Sequence, residues 1–107
     1  MSRLAEVDLN LLVLFRHMYN ERHTGKVAEM MGLTQPSVSH AIKRLRTMLG
    51  DELFEKASRG MRPTPYAEAI AGDVDEILCA LEKTLNYRNS FNPWESQREF
   101  RVAMTDL

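Results

Sequence analysis

The side chains that could do chemistry in this chain lie between residues 34 and 62, and their types suit nucleic acid. Gln35, Ser39 and His40 can hydrogen-bond to base edges, and Lys43 can neutralise a phosphate. Five further cations follow: Arg44, Arg46, Lys56, Arg59 and Arg62. No nucleophile–base pair, carboxylate pair or phosphate-binding glycine loop is visible in the sequence, so we expect no enzyme.

The charge is divided unevenly along the 107 residues, whose net charge is −1. Residues 1–66 hold ten Lys and Arg against seven Asp and Glu, a net charge of +3. Residues 67–107 hold four against eight, a net charge of −4. This asymmetry favours a basic surface on the first part and a different role for the second.

Other classes of protein find little support in the composition. The single cysteine, Cys79, allows no internal disulfide, and the scattered His17, His23 and His40 offer no metal-ligand spacing. We therefore expect no metal and no cofactor in this chain. Acids near the N-terminus and short apolar runs argue against a signal peptide or a membrane span. A cytoplasmic location is expected.

Apolar residues recur at helical spacing in three successive segments. Asp8 is the expected N-cap of a first helix that reaches about Arg22, and Thr24 is the expected N-cap of a second that ends at Gly32. Thr34 is the expected N-cap of a third, with Pro36 in its first turn. In that segment apolar residues recur at helical spacing as far as Gly50.

The junction of the second and third segments has the spacing of a helix-turn-helix. Ala28 is the small residue where two helices touch, and Gly32 tolerates the positive φ of a tight turn. Leu33 is the expected apolar plug after the turn, and Val38 and Ala41 are expected to be buried. The sequence therefore predicts a helix-turn-helix whose third segment is the recognition helix.

The polar side of the third segment carries no carboxylate, as a helix in the major groove of DNA requires. The residues expected to face bases are Gln35, Pro36, Ser39 and His40. Those expected to contact phosphates are Thr34, Lys43, Arg44, Arg46, Lys56 and Arg62. Arg59 is expected to enter the minor groove, because two short extended runs around it predict a hairpin, the wing of a winged helix. A plain surface loop remains the alternative to the wing.

A fourth helix is predicted after Pro65, with one apolar stripe reaching about Tyr87. Its roughly 20 residues exceed what a small winged helix can cover, so we expect the stripe to form a dimer seam. The seam residues are Ile70, Val74, Ile77, Leu78, Leu81 and Leu85. Packing against an absent part of the same chain is the alternative.

The C-terminal residues alternate in a strand-like pattern after a polar connection. We therefore expect residues 1–65 to be a winged helix-turn-helix, 66–88 a linker and dimerisation helix, and 89–107 a connection with the start of a truncated second domain. The fold class is mainly α, with the first strand of an α/β domain at the end.

These residues resemble the LysR-type transcriptional regulators, and the resemblance covers residues 8–107. The segments that carry it are Asp8–Leu12, Leu33–Ser39, Ile42–Leu45, Leu53–Lys56, Gly60–Pro65 and Arg98–Ala103. Arg44–Arg46, together with Asp51–Phe54 and Gly60–Pro65, is most similar to the regulators of nodulation and aromatic degradation. The last segment resembles the first strand of the family's effector-binding domain.

The resemblance implies a bacterial, sequence-specific DNA-binding regulator that binds an inverted-repeat operator as a homodimer, and as a tetramer at full length. It also implies RNA polymerase as a further partner and a small-molecule coinducer bound by the effector domain that this chain lacks. The alternative is a winged-helix module that binds other proteins and shows no specific, steeply salt-dependent DNA binding.

Overall fold

The computed structural model describes residues 4–90, which form helices and one hairpin. In chain order these are a 3-10 turn at Leu4–Glu6, helices α1 (Leu9–Glu21), α2 (Thr24–Met31) and α3 (Gln35–Leu49), strands β1 (Phe54–Lys56) and β2 (Met61–Pro63), and helix α4 (Pro65–Ser90). The chain divides into two compact units, one up to Asp75 and one from Glu76. The mainly helical winged helix-turn-helix predicted from the sequence is confirmed.

Side-chain caps start α1 and α3 where the sequence predicts them. An Asp8 carboxylate oxygen accepts from the backbone N–H of Asn10 at 2.9 Å. The Thr34 hydroxyl accepts from the backbone N–H of Ser37 at 3.2 Å, and Pro36 lies in the first turn of α3. Each cap satisfies a donor that has no partner within the helix, so the start of each helix is fixed locally.

The predicted cap of α2 is wrong. His23 is the N-cap residue, with an extended backbone and no side-chain hydrogen bond to the helix, and Thr24 is already the first helical residue. Arg22 ends α1 in the left-handed region, at φ 63°, so the chain turns one residue earlier than a Thr24 cap would require. Gly32 and Gly50, at φ 67° and 71°, end α2 and α3 as predicted.

The core of the first unit lies between the three short helices and the base of the hairpin. Phe15 and Phe54 contact each other with ring centroids 5.5 Å apart, and both are buried. Val27, Val38 and Leu45 are fully buried where α2 and α3 meet the core. Burial of each such side chain is worth about 1.5–3 kcal/mol, so the core fixes how the helices are arranged.

Two predicted core positions differ from the structure. Leu33 is 42% exposed, because its backbone N–H closes the turn on the Ala28 carbonyl at 2.8 Å while its side chain faces outward. Ala41 is only half-buried, and its neighbour Ile42 is the buried residue on that face of α3. Val38, the third residue predicted to be buried at this junction, is fully buried.

The predicted hairpin is confirmed: β1 and β2 pair antiparallel, with Glu55 opposite Arg62. A hydrogen bond attaches it to the end of α1, because the backbone N–H of Met61 donates to the Arg22 carbonyl at 2.8 Å. Gly60 has φ 68°, and a Cβ there would collide with that same carbonyl. The wing thus lies against the α1–α2 junction at a point where only glycine fits.

A second set of hydrogen bonds joins the α3–β1 loop to the start of α4. One Asp51 carboxylate oxygen accepts from the Leu53 backbone N–H at 2.8 Å and from the Thr64 hydroxyl at 2.7 Å. The Thr64 oxygen in turn accepts from the Ala67 N–H at 3.1 Å and so caps α4. We refer to Asp51, Thr64 and these backbone groups as the Asp51–Thr64 joint.

Helix α4 ends at Ser90, three residues beyond the predicted end near Tyr87. Asn89 and Ser90, predicted to begin the polar connection, continue the helix because neither is a helix breaker. The rest of the predicted connection and the predicted strand of a second domain lie outside the described residues. Within residues 4–90, none of the helices is long and apolar enough to cross a membrane.

Candidate nucleic-acid interface

Helix α3 presents an exposed polar face that lacks any carboxylate over Gln35–Leu49. Gln35 and Pro36 open it in the first turn, and Ser39 and His40 follow one turn later; all four are exposed. Val38, Ile42 and Leu45 bury the opposite face. The structure therefore holds the four predicted base-facing residues together on the solvent side of one rigid element.

Gln35 lies beside the first turn of α2. A Cβ at position 25 would lie 3.4 Å from the Gln35 Nε2 and 3.6 Å from the His23 Nδ1, which are ordinary van der Waals distances, so both side chains lie next to Gly25. His23 is exposed. Sequence reasoning missed this neighbour of Gln35; the available signal was a polar run, Arg22–Thr24, directly after the apolar period of α1.

The predicted phosphate-contacting residues of α3 differ in what they bind within the chain. Lys43 is exposed, and its ammonium has no ion-pair or hydrogen-bond partner among the described residues. The Arg44 Nη2 lies 3.3 Å from Asp8 Oδ2, so this arginine pairs with the N-cap of α1 while 56% of its side chain stays exposed. Thr34 is exposed, and its hydroxyl donates to the Ser37 hydroxyl at 3.0 Å.

Arg46 makes more contacts within the protein than Lys43 or Arg44. Its Nε donates to the Glu52 carbonyl at 2.7 Å, and its Nη2 donates to the Phe54 carbonyl at 2.8 Å. The Glu52 carboxylate lies 3.5 Å from the same Nε, and 30% of the Arg46 side chain is exposed. The guanidinium thus faces the base of the wing.

The wing carries cations along its exposed side. Lys56 at the end of β1 and Arg59 in the turn are exposed, and neither has an ion-pair partner within residues 4–90. Arg62 on β2 is exposed and lies 4.0 Å from Glu55 of β1. Leu53 and Phe54 are fully buried, so they anchor the hairpin to the core.

Recognition helix and wing border one cleft of about 480 Å³. Its walls come from the start of α2, from α3 and from the wing: His23, Thr24, Ser39, Ile42, Arg46, Lys56, Ala57, Gly60 and Met61. Ser39 and Lys56, predicted to contact a base and a phosphate respectively, therefore share one concave surface. His23 and Thr24 line it as well, and the sequence had not assigned either to the interface.

The predicted dimerisation residues of α4 fall into two groups. In the first unit Ile70 is half-buried and Val74 is buried. In the second unit Leu78 is buried and Leu81 half-buried, whereas Ile77 and Leu85 are 48% and 66% exposed. The described chain alone thus covers Val74 and Leu78, and the exposed apolar surface of the stripe is centred on Ile77 and Leu85.

Known proteins that resemble this chain in sequence are bacterial regulators. A family model described as a bacterial regulatory helix-turn-helix protein of the lysR family matches residues 9–68. The chain is 48% identical over 104 residues to the HTH-type transcriptional activator NahR of Pseudomonas putida, and covers 35% of that protein. It is 40% identical over 105 residues to Nodulation protein D 1 of Bradyrhizobium sp. (strain NC92), and covers 33% of it.

Solved structures share the architecture. A probable transcriptional regulator, PA0477 from Pseudomonas aeruginosa, superimposes with a TM-score of 0.74 at 39% identity, over 78% of this chain and 28% of that one. A DNA-binding domain from a complex of BenM with catB site 1 DNA, 24% identical, superimposes with a TM-score of 0.72 over 78% of this chain and 94% of that one. The second match shows the fold alone.

The relatives extend well beyond this chain, which spans about a third of their length. They are named as transcriptional activators and nodulation proteins, which confirms the expectation of a regulator in place of an enzyme and the expected similarity to both groups. Because the family model matches more than half of the residues, and matches them over the helix-turn-helix and the wing, the chain belongs to the lysR family of bacterial regulatory helix-turn-helix proteins.

Proposed function

We propose that this chain is the DNA-binding part of a transcriptional regulator, and that it reads an inverted-repeat operator as a homodimer. The observation that carries the proposal is the exposed, carboxylate-free face of α3 beside a cationic wing. Duplex DNA repels acids and attracts cations along its backbone, and an α-helix fits its major groove. The fold shared with the domain from the BenM–DNA complex adds support.

Within this proposal the exposed residues take separate roles. Gln35, Ser39 and His40 would hydrogen-bond to base edges, and Pro36 would contact a thymine methyl group. Lys43 would bind a phosphate, since its ammonium has no partner within the described chain. Thr34, Lys56 and Arg62 would bind flanking phosphates, and Arg59 would enter the minor groove.

The homodimer would form through α4, whose stripe keeps exposed apolar surface at Ile77 and Leu85. Family membership also favours a tetramer of the longer protein, RNA polymerase as a partner, a coinducer bound outside this chain and a cytoplasmic, nucleoid-associated location. Each of these belongs to the whole protein and is proposed for it.

Base reading and phosphate binding can be separated by two substitutions. The operator is first selected from a pool of random duplexes. Gln35→Ala should weaken the binding free energy for this selected operator by about 1–3 kcal/mol and relax the preference at one base pair, because a bidentate contact is lost. Lys43→Ala should weaken binding to all duplexes alike and reduce the slope of log affinity against log salt by about one. The measurement is fluorescence anisotropy on selected and random duplexes over a range of salt concentrations.

Lys83→Ala is the matched control, because it removes one exposed cation of α4 that has no proposed DNA contact. It should leave both affinities unchanged. Equal losses on selected and random DNA for Gln35→Ala would refute base reading. A wild-type chain that bound no duplex in a salt-dependent way would refute the proposal and favour a protein-interaction module.

A further inference from the structure

Arg46 connects the last turn of α3 to the base of the wing through three contacts. Its Nε and Nη2 donate to the backbone carbonyls of Glu52 and Phe54 at 2.7 and 2.8 Å. Its Nε also lies 3.5 Å from the Glu52 carboxylate. Two of the three contacts are to backbone, so they hold the path of the chain itself where it enters β1.

The geometry suits a rigid connection. A guanidinium is planar and offers its donors in a fixed fork, so two simultaneous hydrogen bonds set both distance and angle. Hydrogen bonds from a charged donor are about twice as strong as neutral ones. The Glu52 carboxylate partly neutralises the charge, which leaves Arg46 less attractive to a phosphate than the unpartnered Lys43.

The connection lies at the cleft shared by the recognition helix and the wing. Arg46 lines that cleft together with Ser39 of α3 and Lys56 of β1. DNA contacts from α3 and from the wing can form together only when these two elements keep a fixed separation. A mobile wing would lose conformational entropy when it became ordered on DNA, and this cost would lower the affinity.

We propose that Arg46 is a positioning residue for DNA binding, which holds the wing at a fixed place relative to the recognition helix and contacts no phosphate itself. The proposal rests on the proposed function for its effect on DNA. Its structural part, a fixed wing, applies to the free protein as well.

A double-mutant cycle between Arg46 and Arg59 tests the role in binding. Arg59→Ala should weaken operator binding in the wild-type background but much less in the Arg46→Ala background, with a coupling of about tenfold. Arg46→Lys should behave like Arg46→Ala, because an ammonium keeps the charge and loses the fork. A direct phosphate contact predicts the opposite: Arg46→Lys near wild type, and effects of Arg46 and Arg59 that simply multiply.

Hydrogen exchange of the free protein tests the structural part without DNA. The amides of Ala57 and Met61, which donate to the Gly60 and Arg22 carbonyls, should exchange at least about tenfold faster in Arg46→Lys, while α1 amides stay protected. Lys43→Ala is the control: its effect should multiply with that of Arg59→Ala, and its exchange should match wild type.

The outcomes separate the two proposals. Faster wing exchange without any DNA binding would support the structural part, a wing held in place by Arg46, and refute the proposed function. Unchanged wing exchange in Arg46→Lys, or no coupling to Arg59, would refute the positioning role. Arg46→Lys decides the matter if Arg46→Ala fails to fold.

Discussion

Gly60 shows how one residue can fix the position of the wing against the end of α1. It has a positive φ, which disfavours any side chain, and it also faces the Arg22 carbonyl at the end of α1. Gly50 shares the backbone conformation, at φ 71°, but a Cβ there would meet nothing within 4 Å. A side chain at position 50 would therefore meet conformational strain alone, whereas one at position 60 would meet both strain and a steric collision.

Substitution of the two glycines by alanine should give unequal losses of stability. Gly50→Ala should lower the free energy of unfolding by about 1–2 kcal/mol, the cost of the left-handed conformation alone. Gly60→Ala should lower it further, because the Arg22 carbonyl must move and the Met61 hydrogen bond is disturbed. Urea denaturation monitored by circular dichroism measures both losses, and equal losses would show that the Arg22 contact carries no weight.

Residues whose role depends on their own neighbourhood in sequence could be predicted well. The caps at Asp8 and Thr34 and the helix ends at Gly32 and Gly50 follow from local backbone chemistry. The partners of Arg46 could not be predicted, because the sequence around a basic helix residue is the same whether its side chain binds DNA or a backbone carbonyl of the protein. The collision at Gly60 was hidden for the same reason, since Arg22 is 38 residues away in sequence.

At the scale of elements, the Asp51–Thr64 joint explains how a short wing leads into a long helix without a flexible linker. The Thr64 hydroxyl donates to Asp51 and accepts from the Ala67 amide, so one side chain both ends the loop and starts α4. The sequence predicted that the winged helix-turn-helix ends at Pro65 and that a helix follows. It did not reveal the bond back to Asp51, which depends on the tertiary fold.

Removal of the Thr64 hydroxyl should therefore weaken two elements together. Thr64→Val keeps the shape but leaves the Ala67 amide uncapped and takes one donor from Asp51, and should lower the free energy of unfolding by about 1–3 kcal/mol. Thr64→Ser keeps the hydroxyl and should cost less. Thermal and urea unfolding compare the pair; a valine variant as stable as the wild type would show that the hydrogen bonds of the Thr64 hydroxyl carry no weight.

At the scale of the whole molecule, the two parts of the chain differ in net charge, and the difference matches the two roles proposed for them, DNA binding and dimerisation. Residues 1–66 carry the net positive charge of +3, and they include the recognition helix and the wing. Residues 67–107 carry a net charge of −4, and their apolar stripe on α4 suits another protein surface. The burial of Val74 and Leu78 narrows the proposed dimer seam to the exposed residues of that stripe.

A carboxylate placed on the stripe should separate the proposed dimer. Ile77→Glu would bury an unpaired charge in the seam, so the variant should sediment as a folded monomer and lose most of its affinity for a two-half-site operator. Its affinity for a single half-site should barely change. Analytical ultracentrifugation and anisotropy are the measurements.

Lys83→Glu provides the control, because at 100° per residue position 83 lies on the side of α4 opposite the stripe. It introduces the same carboxylate and should leave the dimer intact. An Ile77→Glu variant that stayed dimeric at micromolar concentration would place the interface elsewhere.

The hydrogen bond between Met61 and Arg22 has a consequence for how such a regulator can diversify. The wing turn has its two strands on one side and the end of α1 on the other, so its length is set by contacts at both. An inserted residue would break one of them, whereas Ser58 and Arg59 are exposed and can be replaced without disturbing either. Under the proposed function, new operator preferences at the wing would therefore arise by exchange of side chains at its tip, while the length of the wing stays constant.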